Sequence, residues 1–143
     1  MNTNRSLTIR FVSAIAGAGM MLLMPSVAFA SNASKEAATA AEHAGYAAAA
    51  KNIKGVHKHL HHALNCLVGP NGSAFSSNFM DPCKGMGNGA IPDASSKTER
   101  QIFLAASHKA ERGLKAKKLS VAKEDASEAQ AMLKKTSMKN HSM

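Results

Sequence analysis

Residues 49–72, AAKNIKGVHKHLHHALNCLVGPNG, carry the clearest structural pattern in the chain. Apolar residues recur here at intervals of three or four, the spacing that puts side chains on one face of a helix. They are Ala49, Ile53, Val56, Leu60, Leu64 and Leu67. Helix-favouring residues, mostly alanine, continue the pattern upstream, so it predicts a helix from about residue 35 to residue 67. Glycines at 45 and 55 weaken a helix and leave open a break near residues 45–55.

The second half of the chain predicts a loop followed by two shorter helices. A Gly-Pro pair ends the first helix, and residues 69–96 are rich in Gly, Pro, Asn and Ser, which is typical of an ordered loop. Helices are predicted over about 97–115, where Ser96 is the N-cap, and over about 120–135, with a flexible tail at 136–143. The alternation typical of strands is absent from the sequence. These patterns predict an all-α fold, a small antiparallel bundle of three or four helices.

The N-terminal 30 residues have the organisation of a cleavable secretory signal. Two arginines precede an uncharged, mostly apolar run over residues 11–24, and a small-x-small cleavage pattern ends at Ala30. The run is shorter than the roughly 18 apolar residues that a membrane anchor needs. We therefore expect residues 31–143 to form a single exported domain located in the periplasm.

The two cysteines, Cys66 and Cys83, predict a structural disulfide. A lone pair of cysteines in an oxidising, exported compartment is usually bonded. Closing a loop of about 17 residues stabilises a small domain by roughly 3 kcal/mol in the chain-entropy model. The pair lacks the C-x-x-C spacing of redox and haem-attachment motifs. Metal ligation by reduced cysteines is the remaining alternative.

Histidines are the main chemical signal in the sequence. His57 and His61 lie four residues apart, so both imidazoles leave a helix on one side and can chelate a divalent transition metal such as Cu²⁺, Ni²⁺ or Zn²⁺. His43 lies on the same flank, but along an unbroken helix it is about 20 Å away. His59 and His62 point in other directions. The prediction is a metal site at His57 and His61, with His43 and His62 as outlying candidates.

A structural interpretation of these histidines stays open. A two-histidine pair is an incomplete site and needs a third ligand from another helix, from a loop methionine or from a second molecule. Histidines beside an apolar stripe also simply cover the edge of a bundle. Four histidines within residues 57–62 produce an i, i+4 pair easily by chance.

Catalysis finds little support in the sequence, so we expect a non-catalytic protein. There is no G-x-S-x-G or H-E-x-x-H motif. The formal net charge of +9 supports an alternative function, a basic interaction protein that binds an anionic component of the cell envelope. Specific nucleic-acid binding is not predicted, because aromatic interleaving and the known motifs are missing. No second hydrophobic stretch predicts a transmembrane segment in the mature protein.

Two motifs carry a resemblance to a known group. VHKHLHHALNCLVGPNG at 56–72 and NFMDPCKGMGNGAIPD at 78–93 resemble a group of small, uncharacterised, exported proteobacterial proteins. In that group Asn-Cys-Leu-x-Gly-Pro follows a histidine-bearing helix and Pro-Cys-Lys-Gly-x-Gly precedes another helical stretch. The resemblance implies no activity. More loosely, the composition is similar to that of small periplasmic metal-binding helical bundles from nitrifying bacteria. This chain departs from them in its two cysteines, its glycine-rich loop and its few histidines outside residues 43–62.

Overall fold

The structure is a computed structural model that describes residues 32–140, with side chains described through residue 136. The predicted signal at 1–30 and the last residues of the predicted tail, 141–143, lie outside the described residues. No helix in the described part is long and apolar enough to span a lipid bilayer.

The fold is all-α, as the sequence predicts, and the described chain contains four helices. In chain order they are α1 (Asn32–Ala49), α2 (Ile53–Val68), α3 (Lys97–Lys115) and α4 (Leu119–Asn140). α4 continues beyond the predicted end at 135 into the segment expected to be a flexible tail. There Thr136 is buried and its hydroxyl donates to the carbonyl of Met132, 3.3 Å away. The hydrogen bond lies within α4, and the burial of Thr136 shows that this turn still packs against the bundle.

The long predicted helix is divided, and residues 50–52 separate α1 from α2. Asn52 has an extended backbone and caps α2, since its side-chain oxygen accepts from the backbone N–H of Gly55 at 2.9 Å. Asparagine is among the best N-cap residues because it satisfies a backbone donor that the helix itself leaves free. The capped start and the short turn fold α2 back along α1.

The helices run alternately up and down, and their buried hydrophobic residues form two clusters. α1 and α3 each pack against both α2 and α4. Ion pairs Arg112–Asp125 and Lys109–Glu128 fix the antiparallel register of α3 and α4. Short turns at 50–52 and 116–118 join each antiparallel pair, as expected for neighbouring helices in a bundle. The bundle prediction is therefore confirmed.

α1 packs almost entirely through alanine. Six of its seven buried residues are alanines and the seventh is Glu36. The alanines are Ala33, Ala37, Ala40, Ala41, Ala44 and Ala47. The larger buried side chains come from the other three helices, mainly Phe103 and four leucines. Because methyl groups occupy so little space, the backbone of α1 can lie close to both of its neighbours.

The loop 69–96 is ordered by polar contacts and by the disulfide. Asn65 is buried, and its amide donates to the carbonyls of Ser76, Phe79 and Met80 while its oxygen accepts from the N–H of Ser76. Cys66 and Cys83 are bonded, with their Cα atoms 5.2 Å apart, which confirms the predicted disulfide. The loop is therefore pinned to the C-terminal turns of α2.

The far end of the loop closes the C-terminus of α2 through main-chain contacts. The N–H groups of Ala90 and Ile91 donate to the carbonyls of Cys66 and Leu67 at 3.0 and 2.9 Å, satisfying acceptors that a helix end leaves free. Gly69 (φ 67°) makes this approach possible, because a Cβ atom there would lie 1.7 Å from the carbonyl oxygen of Asn88. The backbone of residues 88–89 in the loop therefore lies directly against the backbone at Gly69.

Because α1 lies close to α2 and α4, a larger side chain on its buried face should lower the stability of the fold. Ala44→Leu adds bulk at a fully buried position and should lower the free energy of unfolding by about 1–3 kcal/mol through overpacking. Ala38→Leu, on the exposed side of the same helix, should change it by less than about 0.5 kcal/mol. Urea denaturation followed by circular dichroism compares the two variants. Equal effects would contradict the close packing of α1.

Glu36 is an acid buried where α1 meets the loop. Its side chain is 1% exposed, and its Oε1 accepts from the N–H of Gly89 at 3.0 Å. Burial raises the pKa of Glu36 above its usual value; the Gly89 hydrogen bond opposes this shift, and the negative charges of Asp93 and Asp81 add to it. The ionised form of Glu36 is therefore less favourable in the folded protein than in the unfolded chain.

A pH-dependent stability difference follows from Glu36. Because its folded pKa lies above its unfolded one, ionisation penalises the folded state as the pH rises above about 4.5, and the penalty is absent at lower pH. Glu36→Gln keeps the acceptor but removes the charge. The wild type should therefore lose stability relative to this variant as the pH rises from 4 to 7, measured by denaturation at each pH. Parallel pH profiles for the two proteins would refute the assignment.

Candidate metal centre

The turn at residues 50–52 determines which histidines meet. Since α1 and α2 are antiparallel, residues equally far from the turn lie opposite each other. His43 precedes the turn by the same number of residues as His59 follows it. His62 lies about one helical turn further along α2, on the side that faces α1. The fold thus brings one histidine of α1 against two of α2.

Three histidines form a compact cluster at this interface. One ring nitrogen each from His43, His59 and His62 lies within 4.8 Å of the other two. The Nδ1 atoms of His43 and His59 are 3.4 Å apart. Ring centroids are separated by 5.7 Å for His43 and His59, 5.0 Å for His43 and His62, and 5.5 Å for His59 and His62. We refer to these residues as the three-histidine cluster.

The nitrogen spacing fits a single transition-metal ion. Two nitrogens bound to one tetrahedral zinc at 2.0–2.1 Å lie about 3.3 Å apart. The Nδ1 atoms of His43 and His59 already have this separation, and a ring nitrogen of His62 lies within 4.8 Å of both residues' ligand atoms. Three imidazoles also leave at least one coordination position open. The cluster therefore has the ligand number and approximate spacing to hold one metal ion.

Burial keeps these imidazoles in the form that binds metal. His62 is 2% exposed, and burial, followed by the neighbouring charges, lowers its pKa to about 4. Burial also lowers the pKa of His43, and the interaction with His59 is the second cause. Burial likewise lowers the pKa of His59, and the charge of Lys58 is the second cause there. These shifts favour the neutral form of all three rings. A neutral imidazole has the free electron pair that a metal needs, whereas a protonated one does not.

Tyr46 borders the cluster on the solvent side. Its ring lies edge-on to His43 at 5.6 Å and tilted against His59 at 5.5 Å, and it is 48% exposed. Its hydroxyl donates to the carboxylate of Glu42 one turn back on α1. That hydrogen bond, together with the negative charge of Glu42, raises the pKa of Tyr46. Tyr46 is the single tyrosine of a chain without tryptophan, so its fluorescence reports directly on the cluster.

His57 and His61, the pair predicted from sequence, lie on α2 outside the three-histidine cluster. Both are half-buried, and His61 stacks on Phe79 with centroids 3.9 Å apart and an angle of 13°. His57 Nε2 and His61 Nδ1 are buried without a hydrogen-bond partner among the described residues. Within that part of the chain, no Asp, Glu, Cys or further His completes a three-ligand group with them. Metal binding through this pair stays a prediction.

Two geometric expectations from the sequence are wrong. His43 is not about 20 Å from the α2 histidines, because the helix folds back at 50–52 instead of continuing. His59 and His62 do not point away from His43, since they face it across the α1–α2 interface. His62 was a candidate, but His59 was missed. A hairpin centred on residue 51, signalled by Asn52 as a cap, would have paired residue 43 with residue 59.

Comparison of this chain with protein-family models, with curated proteins and with solved structures found no match in any of the three. The resemblance to exported helical proteins therefore stays a prediction.

Proposed function

We propose that this protein is an exported, non-catalytic helical bundle that binds one divalent transition metal ion through His43, His59 and His62. The observation that carries the proposal is the convergence of three imidazoles from two helices within 4.8 Å, and burial lowers the pKa of each ring. Imidazole ligands suit Cu²⁺, Ni²⁺ and Zn²⁺, and a small protein with such a site serves to buffer or sequester the ion.

Two features support an exported location. The first 30 residues have the pattern of a secretory signal, which directs a bacterial protein to the periplasm. The Cys66–Cys83 bond is of the kind that persists in oxidising compartments. In such a compartment the cysteines are bonded and histidines supply the metal ligands.

Metal titration of the ligand variants tests the proposal. His59→Ala removes a half-buried ligand and should weaken Cu²⁺, Ni²⁺ or Zn²⁺ binding at least about tenfold, because it leaves only two imidazoles. His57→Ala/His61→Ala is the matched control on the same helix and should bind like the parent. Isothermal titration calorimetry of protein without a polyhistidine tag gives both affinities. Quenching of Tyr46 fluorescence by Cu²⁺ gives an independent readout.

The same titration separates the metal proposal from the basic-interaction alternative. Metal binding should persist in high salt and disappear with a chelator. Binding to an anionic envelope component should show the reverse, because exposed charges such as Lys115, Lys117 and Lys118 are screened by salt. If the His57/His61 variant loses metal affinity while the His59 variant keeps it, the three-histidine assignment is wrong.

A further inference from the structure

An open apolar cleft lies beside the three-histidine cluster, between the first turns of α2 and the middle of the loop. Its volume is about 740 Å³, within the range of about 300–1,000 Å³ typical of small-molecule sites. The start of α2 lines one side of the cleft, and Phe79 and Met80 of the loop line the other. It shares one residue, His62, with the cluster.

The walls of the cleft are apolar and its rim is positive. Ile53, Phe79 and Met80 supply the apolar surface, and Met80 is 63% exposed although it is a large hydrophobic residue. Lys54 and Lys58 lie one helical turn apart on the exposed rim. None of the lining residues is acidic, and the first turn of α2 has no acidic residue to offset the positive end of its dipole.

One imidazole nitrogen in the cleft wall lacks a partner. His57 Nε2 is buried without a hydrogen bond among the described residues. A buried polar atom without a partner is unfavourable, so a ligand that supplies one is favoured. In its Nε2–H tautomer His57 can donate to an anionic oxygen.

We propose that this cleft binds a single-chain anionic amphiphile, a fatty acid carboxylate. The carboxylate lies between Lys54 and Lys58 and accepts from His57, while the alkyl chain covers Ile53, Phe79 and Met80. The positive rim and the unpartnered His57 nitrogen match the carboxylate of this ligand, and the apolar wall matches its alkyl chain. The cleft shares His62 with the metal cluster, but other residues bind the head group, so neither site requires the other.

Binding of three twelve-carbon probes to the disulfide-bonded protein tests the proposal. Dodecanoate, dodecanol and dodecyltrimethylammonium have the same chain with negative, neutral and positive heads. Calorimetry is run below the micelle concentrations of the two charged probes and below the solubility limit of dodecanol. It should show dodecanoate binding at one site, dodecanol several-fold more weakly and the ammonium compound weakest. Lengthening the carboxylate by two methylenes should tighten binding roughly five- to tenfold, because more apolar surface is buried.

Charge-matched variants locate the head group. Lys54→Gln/Lys58→Gln should weaken dodecanoate binding roughly five- to tenfold and leave dodecanol unchanged. Lys97→Gln/Lys117→Gln removes the same charge from exposed positions outside the cleft and should leave both probes unchanged. Met80→Glu, at an exposed position where folding is insensitive, should weaken dodecanoate more than dodecyltrimethylammonium.

Four results would overturn the proposal. Failure of dodecanoate to saturate a single site is one, and equal affinity for all three heads is another. The third is equal weakening by the two lysine pairs, which would indicate attraction by net charge alone. If binding occurs only to vesicles of anionic phospholipid, the surface and not the cleft is the site. Metal affinity is measured separately, so these outcomes leave the three-histidine assignment untouched.

Discussion

Close contact between an alanine-faced helix and its neighbours is the constraint on which this structure depends. The buried face of α1 carries alanines and one glutamate, so α1 lies near enough to α2 and α4 for short side chains to meet. Most of the larger hydrophobic side chains come from α2, α3 and α4. An imidazole is a short ligand, and three of them can share an ion only if the helices that carry them are close. The thin core of this bundle is therefore what permits a metal site between α1 and α2.

The turn at residues 50–52 determines which side chains meet between α1 and α2. It reverses the chain, so that residues sixteen and nineteen positions apart, His43 with His59 and His62, become neighbours. The disulfide and the hydrogen bonds of Asn65 hold the loop against the other end of α2. Phe79 then covers His61 and lines the apolar cleft. α2 thus presents His59 and His62 to α1 and His61 to the loop, and His62 also lines the apolar cleft.

Much of the fold follows from the sequence alone. The apolar stripe from Ile53 to Leu67, the Gly-Pro stop and the Ser96 cap all correspond to features of the structure, because each acts within a few residues. The disulfide was predictable, since only one pairing exists for two cysteines. The grouping of the histidines was not, because it depends on whether one turn breaks a helix. Alanine-rich sequence favours a continuous helix, while Asn52 and Gly55 favour a new start, and the choice between them moves His43 by about 20 Å.

The most direct test of this account is to record which imidazole rings respond to a metal ion. Long-range ¹H–¹⁵N correlation spectra of the ¹⁵N-labelled protein resolve each histidine ring during titration with Zn²⁺. The account predicts that the rings of His43, His59 and His62 shift together and saturate at one equivalent, while those of His57 and His61 stay in place. Saturation at His57 and His61 instead, or no saturation at any ring, would contradict a metal centre formed by the packing of α1 on α2.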